Sequence, residues 1–114
     1  MSTDENFFTD NDDLVEYFDN MDIRDLVALQ ERNYSRDPDC DYAPDSYEDA
    51  KDSYRRVLEM LGELSAQYIA PRASEVDEEG VRLEDGVVHY ATGTRESLEQ
   101  LSKADLMGFT LPRR

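Results

Sequence analysis

The 114-residue sequence has no tryptophan, one cysteine and one histidine. A lone thiol, Cys40, has no partner for an intrachain disulfide, so this is not the stapled scaffold of a small secreted protein. A lone imidazole, His89, falls short of the three or four ligands that a zinc centre needs, and no cysteine stands near it at ligand spacing. The five glycines (62, 80, 86, 93 and 108) are scattered, which excludes a phosphate-cradling loop and a dinucleotide fingerprint. Bases are scarce as well. Twelve Lys plus Arg face 28 Asp plus Glu, for a formal net charge of -16. Residues 1–50 hold 16 of the acids and three of the bases. A field of that sign repels phosphate backbones and anionic lipid, which argues against nucleic-acid binding and membrane docking. No long apolar run is available to span a bilayer. The start, Met1-Ser2-Thr3-Asp4-Glu5, is acidic where a signal or transit peptide is basic, so the cytoplasm is the default expectation.

What is present is a modest supply of core material. Hydrophobic residues make up 39%, including seven tyrosines and four phenylalanines. This suffices for one small domain and is richer than a disordered chain. Residues 1–13 form an acidic extension, and 14–112 divide into helical stretches. Leu14, Val15, Tyr17 and Phe18 fit a short helix starting near Asp12 or Asp13 and stopping at Asn20. Ile23, Leu26, Val27 and Leu29 give a second helix, capped by Asp22 and fading at Asn33. Pro38 and Pro44 mark a polar connection.

The strongest pattern follows. Ser46, with Asp49 three residues on, is close to a capping box. Tyr47, Ala50, Tyr54, Val57, Leu58, Leu61, Leu64, Tyr68 and Ile69 then recur at spacings of three and four, a stripe down one long helix. Gly62 within the stripe suggests a close contact with another helix, and Pro71 a kink or restart. Asp85-Gly86 between Val81–Glu84 and Val87–Tyr90 predicts a type I′ hairpin, which on its own is marginal and should lean on the helices or on a partner. Thr94 is placed to cap a last helix that buries Leu98, Leu101, Ala104 and Leu106, with Gly108 as its left-handed stop. The expected fold is therefore mainly α: three to five helices with a short β-hairpin at about residues 81–90.

Chemistry is thinly represented. Asp39 and Asp41 flank Cys40 and oppose a thiolate there. His89 falls on a strand as an ordinary half-exposed residue. Asp37, Asp39, Asp41, Asp45 and Glu48 occupy positions 1, 3, 5, 9 and 12 of a calcium loop, but Tyr42 stands where that loop needs glycine, and Pro44 interrupts it. No residue is assigned a catalytic, cofactor-binding or metal-ligating role.

Two functional expectations follow. Residues 46–112 resemble the start of an acyl-CoA dehydrogenase, and 12–33 do so loosely. The likeness is carried by Ser46–Ala50, Leu58–Leu64, Ile69-Ala70-Pro71-Arg72-Ala73 with Asp77–Gly80, and Leu98–Leu101 through Ala104–Pro112. The hairpin and the acidic extension depart from shorter family members. The resemblance implies an FAD-dependent, homo-oligomeric flavoenzyme of three parts, in which a helical N-terminal domain helps wall the acyl pocket. The flavin and the catalytic glutamate belong to the other two domains, so none of that chemistry maps onto these residues. On this reading Phe109-Thr110-Leu111 leads towards further domains, the chain alone binds no FAD, and its uncovered faces favour self-association. The alternative is a stand-alone acidic protein-interaction module, motivated by the charge concentrated in residues 1–50.

Overall fold

The computed structural model describes residues 4–35, 38–108 and 111. It is mainly helical with one two-stranded antiparallel hairpin. Helices α1 (Asp12–Asn20) and α2 (Arg24–Gln30) precede the long α3 (Tyr47–Leu64). The helical path continues from α3 through Ser65–Ile69 and Ala70–Arg72 into α4 (Ala73–Glu79). Strands β1 (Arg82–Glu84) and β2 (Val87–His89) follow, then α5 (Thr92–Lys103). Because α3 and α4 run on, the described residues contain four helical segments.

Side-chain chemistry explains the helix ends. The Asn11 carboxamide oxygen accepts from the Leu14 N–H (3.2 Å) and starts α1. Ser46 Oγ accepts from the Asp49 N–H (3.1 Å), as the capping pattern predicts. The reciprocal bond is shifted by one residue, with the Asp49 carboxylate accepting from the Asp45 N–H (3.2 Å). Asp22 is not the N-cap of α2, which is Ile23. Asp22 stands one residue earlier and takes both the Arg24 N–H and its guanidinium. The expected Thr94 cap is also replaced. α5 begins at Thr92, and the carboxylate of Glu79 accepts from the Thr92 N–H and hydroxyl, each at 2.9 Å. The stop at Gly108 is replaced by a Schellman turn. Asp105 is the left-handed residue (φ 57°), the Leu106 N–H donates to Leu101 O (3.0 Å), and the Asp105 N–H donates to Ser102 O (3.1 Å).

Pro71 does not break the helix. It has no N–H to give the Gln67 carbonyl, and the chain responds by widening: Ser65–Ile69 is a π turn in which the Ala70 N–H reaches Ser65 O. Arg72 braces the junction. Its guanidinium donates to Tyr68 O (2.7 Å), lies 3.6 Å from the centroid of the Tyr68 ring, and bonds Glu96 of α5 at 3.4 Å.

Within the stretch that reads as an extension, 1–13, residues 5–8 pack onto the fold. Residues 5–8 cross α3 at Gly62, the close contact that the sequence suggested, although the neighbour is a strap of chain and not a helix. The Phe7 N–H donates to Gly62 O (3.1 Å), the Asn6 amide to Glu59 O (2.9 Å) and the Gln67 amide to Glu5 O (3.1 Å). A Cβ on Gly62 would stand 2.7 Å from Phe8 N and 2.8 Å from Phe8 Cβ. Phe8, only 6% exposed, meets Phe18 of α1 edge-on at 6.2 Å. Lys51 and Arg55 of α3 close this corner. Lys51 donates to the carbonyls of Asp19 and Met21 at the C-terminal end of α1, where a cation suits the helix dipole. Arg55 pairs with Asp19 at 2.6 Å. Two bases thus anchor an acidic stretch.

On α2 the inward row is Ile23, Val27 and Glu31, with Val27 2% exposed and Glu31 5% exposed. The Tyr54 hydroxyl of α3 donates to Glu31 Oε1 at 2.5 Å. Leu26 and Leu29, expected on the same buried face, point outwards. Beyond α2 the chain reverses through Arg32, Asn33 and Tyr34, all left-handed (φ 51°, 55° and 58°). An L-residue in that region costs about 1–2 kcal/mol. The Tyr34 N–H to Glu31 O bond (2.9 Å) and the buried Glu31 side chain hold the reversal.

These contacts leave a thin core. Fully buried apolar residues are few and mostly small, among them Val27, Ala50, Ala66 and Ala91. The radius of gyration is 17.9 Å, with extents of 50 × 35 × 20 Å. A compact chain of this length has a radius near 13 Å. The molecule is spread out, and much apolar surface stays on the outside.

Candidate interaction surface

The hairpin is the most exposed regular element of the described chain. Asp85 and Gly86 carry φ of 52° and 76°, the two left-handed positions that a type I′ turn needs. Arg82 pairs with His89, Leu83 with Val88, and Glu84 with Val87. Cross-strand partners share a face, so Leu83 and Val88 lie together, and the same alternation adds Val81 and Tyr90. One face of the hairpin is therefore wholly apolar. Its four side chains are 71%, 54%, 65% and 63% exposed in the order Leu83, Val88, Val81, Tyr90. The opposite face carries Arg82, Glu84, Val87 and His89, and every residue from 81 to 90 is exposed. The hairpin was expected to lean on the helices or on a partner; the helices leave residues 81–90 exposed.

The base of the hairpin is nevertheless fixed. The Glu79–Thr92 bonds clip the end of α4 to the start of α5, the two points from which the hairpin springs. Those bonds lower the Glu79 carboxyl below its ordinary range, with the Thr92 backbone N–H as the main cause. Acids stand at both ends of the hairpin: Asp77, Glu78 and Glu79 lie at the base, and Glu84 and Asp85 at the tip. Arg82 is occupied locally by Glu84 at 3.5 Å.

A second apolar area lies on α1 and α2, where Leu14, Tyr17, Leu26 and Leu29 are 48–78% exposed. Nearby, Asp22 is held down to about 2, chiefly by its side-chain hydrogen bond from Arg24. A shallow groove of about 540 Å³ between α3 and α5 is lined by Met60, Leu64, Tyr68, Gln100 and Lys103, among others.

The residues singled out for chemistry are not assembled into a site. His89 is an exposed residue of β2 opposite Arg82. Cys40 is buried, 3% exposed. Of the calcium-loop positions, Asp37 lies outside the described residues, and Asp39, Asp41, Asp45 and Glu48 are all exposed. Among the described residues no three or more His, Cys, Asp or Glu side chains are grouped to hold a metal ion. Leu98 was expected to be buried but is 43% exposed, while Leu106 is 9% exposed. Among the described residues no helix is long and apolar enough to cross a membrane. Comparison with protein-family models, curated proteins and solved structures finds no match.

Proposed function

We propose that this chain is an acidic protein-interaction module that docks onto a basic protein surface and carries no reaction of its own. One observation carries the reading: large apolar side chains stand exposed on a spread-out molecule of net charge -16. Exposed apolar patches rimmed by charge are what association surfaces present. The two features divide the work. The negative field steers a basic partner and rejects acidic ones, while apolar burial slows its departure. Affinity capture with the full chain, followed by titration of the purified partner, tests this. A partner with a basic surface, bound more weakly as salt rises, is expected. A partner that is acidic or indifferent to salt would sink the proposal.

A second reading keeps the dehydrogenase resemblance. The long helix, the Pro71 junction and the last helix follow in the order that the resemblance implies. In that reading the uncovered surface faces further domains of an FAD-dependent, homo-oligomeric enzyme acting on acyl-CoA in the cytoplasm. Helix order is shared by many small helical domains, so this reading has the weaker support. Reconstitution of dehydrogenase activity by adding flavin-loaded middle and C-terminal domains would favour it, and failure of the domains to associate would remove it.

A further inference from the structure

We propose that the hairpin receives a basic, extended polypeptide segment, which pairs with the open edge of β2 as a third strand and widens the apolar face. This rests on the docking reading above and gives it a place and a partner class.

Three observations converge on the hairpin. The first is geometric. A two-stranded sheet leaves both outer edges unpaired, and each edge offers backbone N–H and C=O groups to an incoming strand. The edges differ. β1 carries Arg82 and Glu84, the sort of charges by which proteins blunt a free edge. β2 is Val87-Val88-His89, with no lysine, no proline and no acid. The second is the apolar face. An incoming strand would set alternate side chains beside Val88 and Tyr90, burying surface now in water. The third is charge. The base and tip of the hairpin supply Asp77, Glu78, Glu79, Glu84 and Asp85, so the interleaving residues of the segment are best basic. The same charge opposes a second copy of this chain, which would bring -16 against -16.

The hairpin is also ready in advance. The Asp85-Gly86 turn sets the register, and the Glu79–Thr92 clip fixes where the two strands emerge. Little ordering remains to be done on binding.

The test uses the full chain and a synthetic probe, a capped peptide of about seven residues alternating lysine and valine. Fluorescence anisotropy of the labelled peptide measures affinity, and amide NMR shifts map the site. Saturable binding is expected, with shifts centred on Val87–His89. The double variant Val88→Thr, Tyr90→Thr puts β-branched residues at both positions and should bind roughly tenfold more weakly. Met107→Thr, at an exposed site beyond α5, should bind like wild type. The same peptide N-methylated at alternate residues, which removes the edge hydrogen bonds, and a glutamate–valine version should each fail to bind.

Binding that maps to residues 4–30 and is unaffected by the double variant would overturn the hairpin inference and leave the docking reading standing. Equal binding of the N-methylated peptide would overturn strand addition. A dimer in sedimentation that the double variant dissolves would make a second copy the occupant and overturn the basic-segment proposal. No binding of the lysine peptide at low salt would overturn the inference and count against the docking reading too.

Discussion

Substitution of Gly62 by alanine sets two effects of opposite sign against each other. In a helix interior, alanine is favoured over glycine by about 1 kcal/mol, so propensity alone predicts a more stable protein. The structure predicts the reverse. The new methyl would lie 2.7 Å from Phe8 N and 2.8 Å from Phe8 Cβ, atoms tied to the backbone that no rotamer change can move aside. Residues 6–8 must lift from α3. Lifting exposes Phe8, which contributes about 1.5–3 kcal/mol through burial. It also strains or breaks the Phe7–Gly62 and Asn6–Glu59 hydrogen bonds, at about 0.5–1.5 kcal/mol each. Some chain entropy is recovered if the strap is released. The balance is a net destabilisation of about 1–3 kcal/mol. Urea unfolding followed by far-UV circular dichroism measures it, and hydrogen exchange at the Phe7 amide reports the strap directly. In a Phe8→Ala background the strap has less to lose, so the penalty should shrink. A Gly62→Ala protein more stable than wild type, with the Phe7 amide equally protected, would refute the reasoning.

Removing the Tyr54 hydroxyl with Tyr54→Phe takes a donor from the buried Glu31 carboxyl and should cost about 1–2 kcal/mol in the same unfolding assay. Asp105→Gly relieves a left-handed position and should stabilise α5 by up to about 1 kcal/mol, whereas Gly108→Ala, whose methyl would make only an ordinary contact with Leu111 Cδ1 at 4.0 Å, should change little. Thermal unfolding of the two variants separates them. Asp22 is held at about 2, below its ordinary 3.8, so the stabilisation from its pairing with Arg24 is complete above about pH 4 and is lost as pH falls towards 2. An NMR titration of the Asp22 carboxyl should show this midpoint, and Arg24→Ala should return it towards the ordinary value.

The fold was legible where local chemistry and periodicity agree. The stripe from Tyr47 onwards, the Ser46 cap and the Asp85-Gly86 turn each depend on neighbours within a few residues, and each appears as expected. Features decided by distant groups were not legible. The carboxylate that caps α5 comes from Glu79, 13 residues before Thr92, so a scan for local caps settles on Thr94 instead. Leu106 is buried as its pattern implies, but it follows the left-handed Asp105 that ends α5, a stop that the sequence reading placed at Gly108. Acids make residues 1–13 read as an extension, yet Phe8 and Gly62, 54 positions apart, bring residues 5–8 into the fold. The helix pattern of α2 was right, yet its inward row runs through Glu31 rather than Leu26 and Leu29, because Tyr54 supplies a hydrogen bond inside. For the candidate site, the hairpin and the acidic balance were legible in the residues themselves. It did not show that the hairpin's apolar side faces water, since that depends on the helices packing elsewhere.

If charge brings a basic partner and apolar contact keeps it, the affinity of the full chain for its purified partner must depend on ionic strength in two stages, measured from about 0.05 to 0.5 M salt. A steep weakening is expected at first, as the field of -16 is screened, and then a plateau of residual binding supported by apolar burial. An affinity that is flat across the whole range, or one that rises with salt from the start, would rule out docking of this kind.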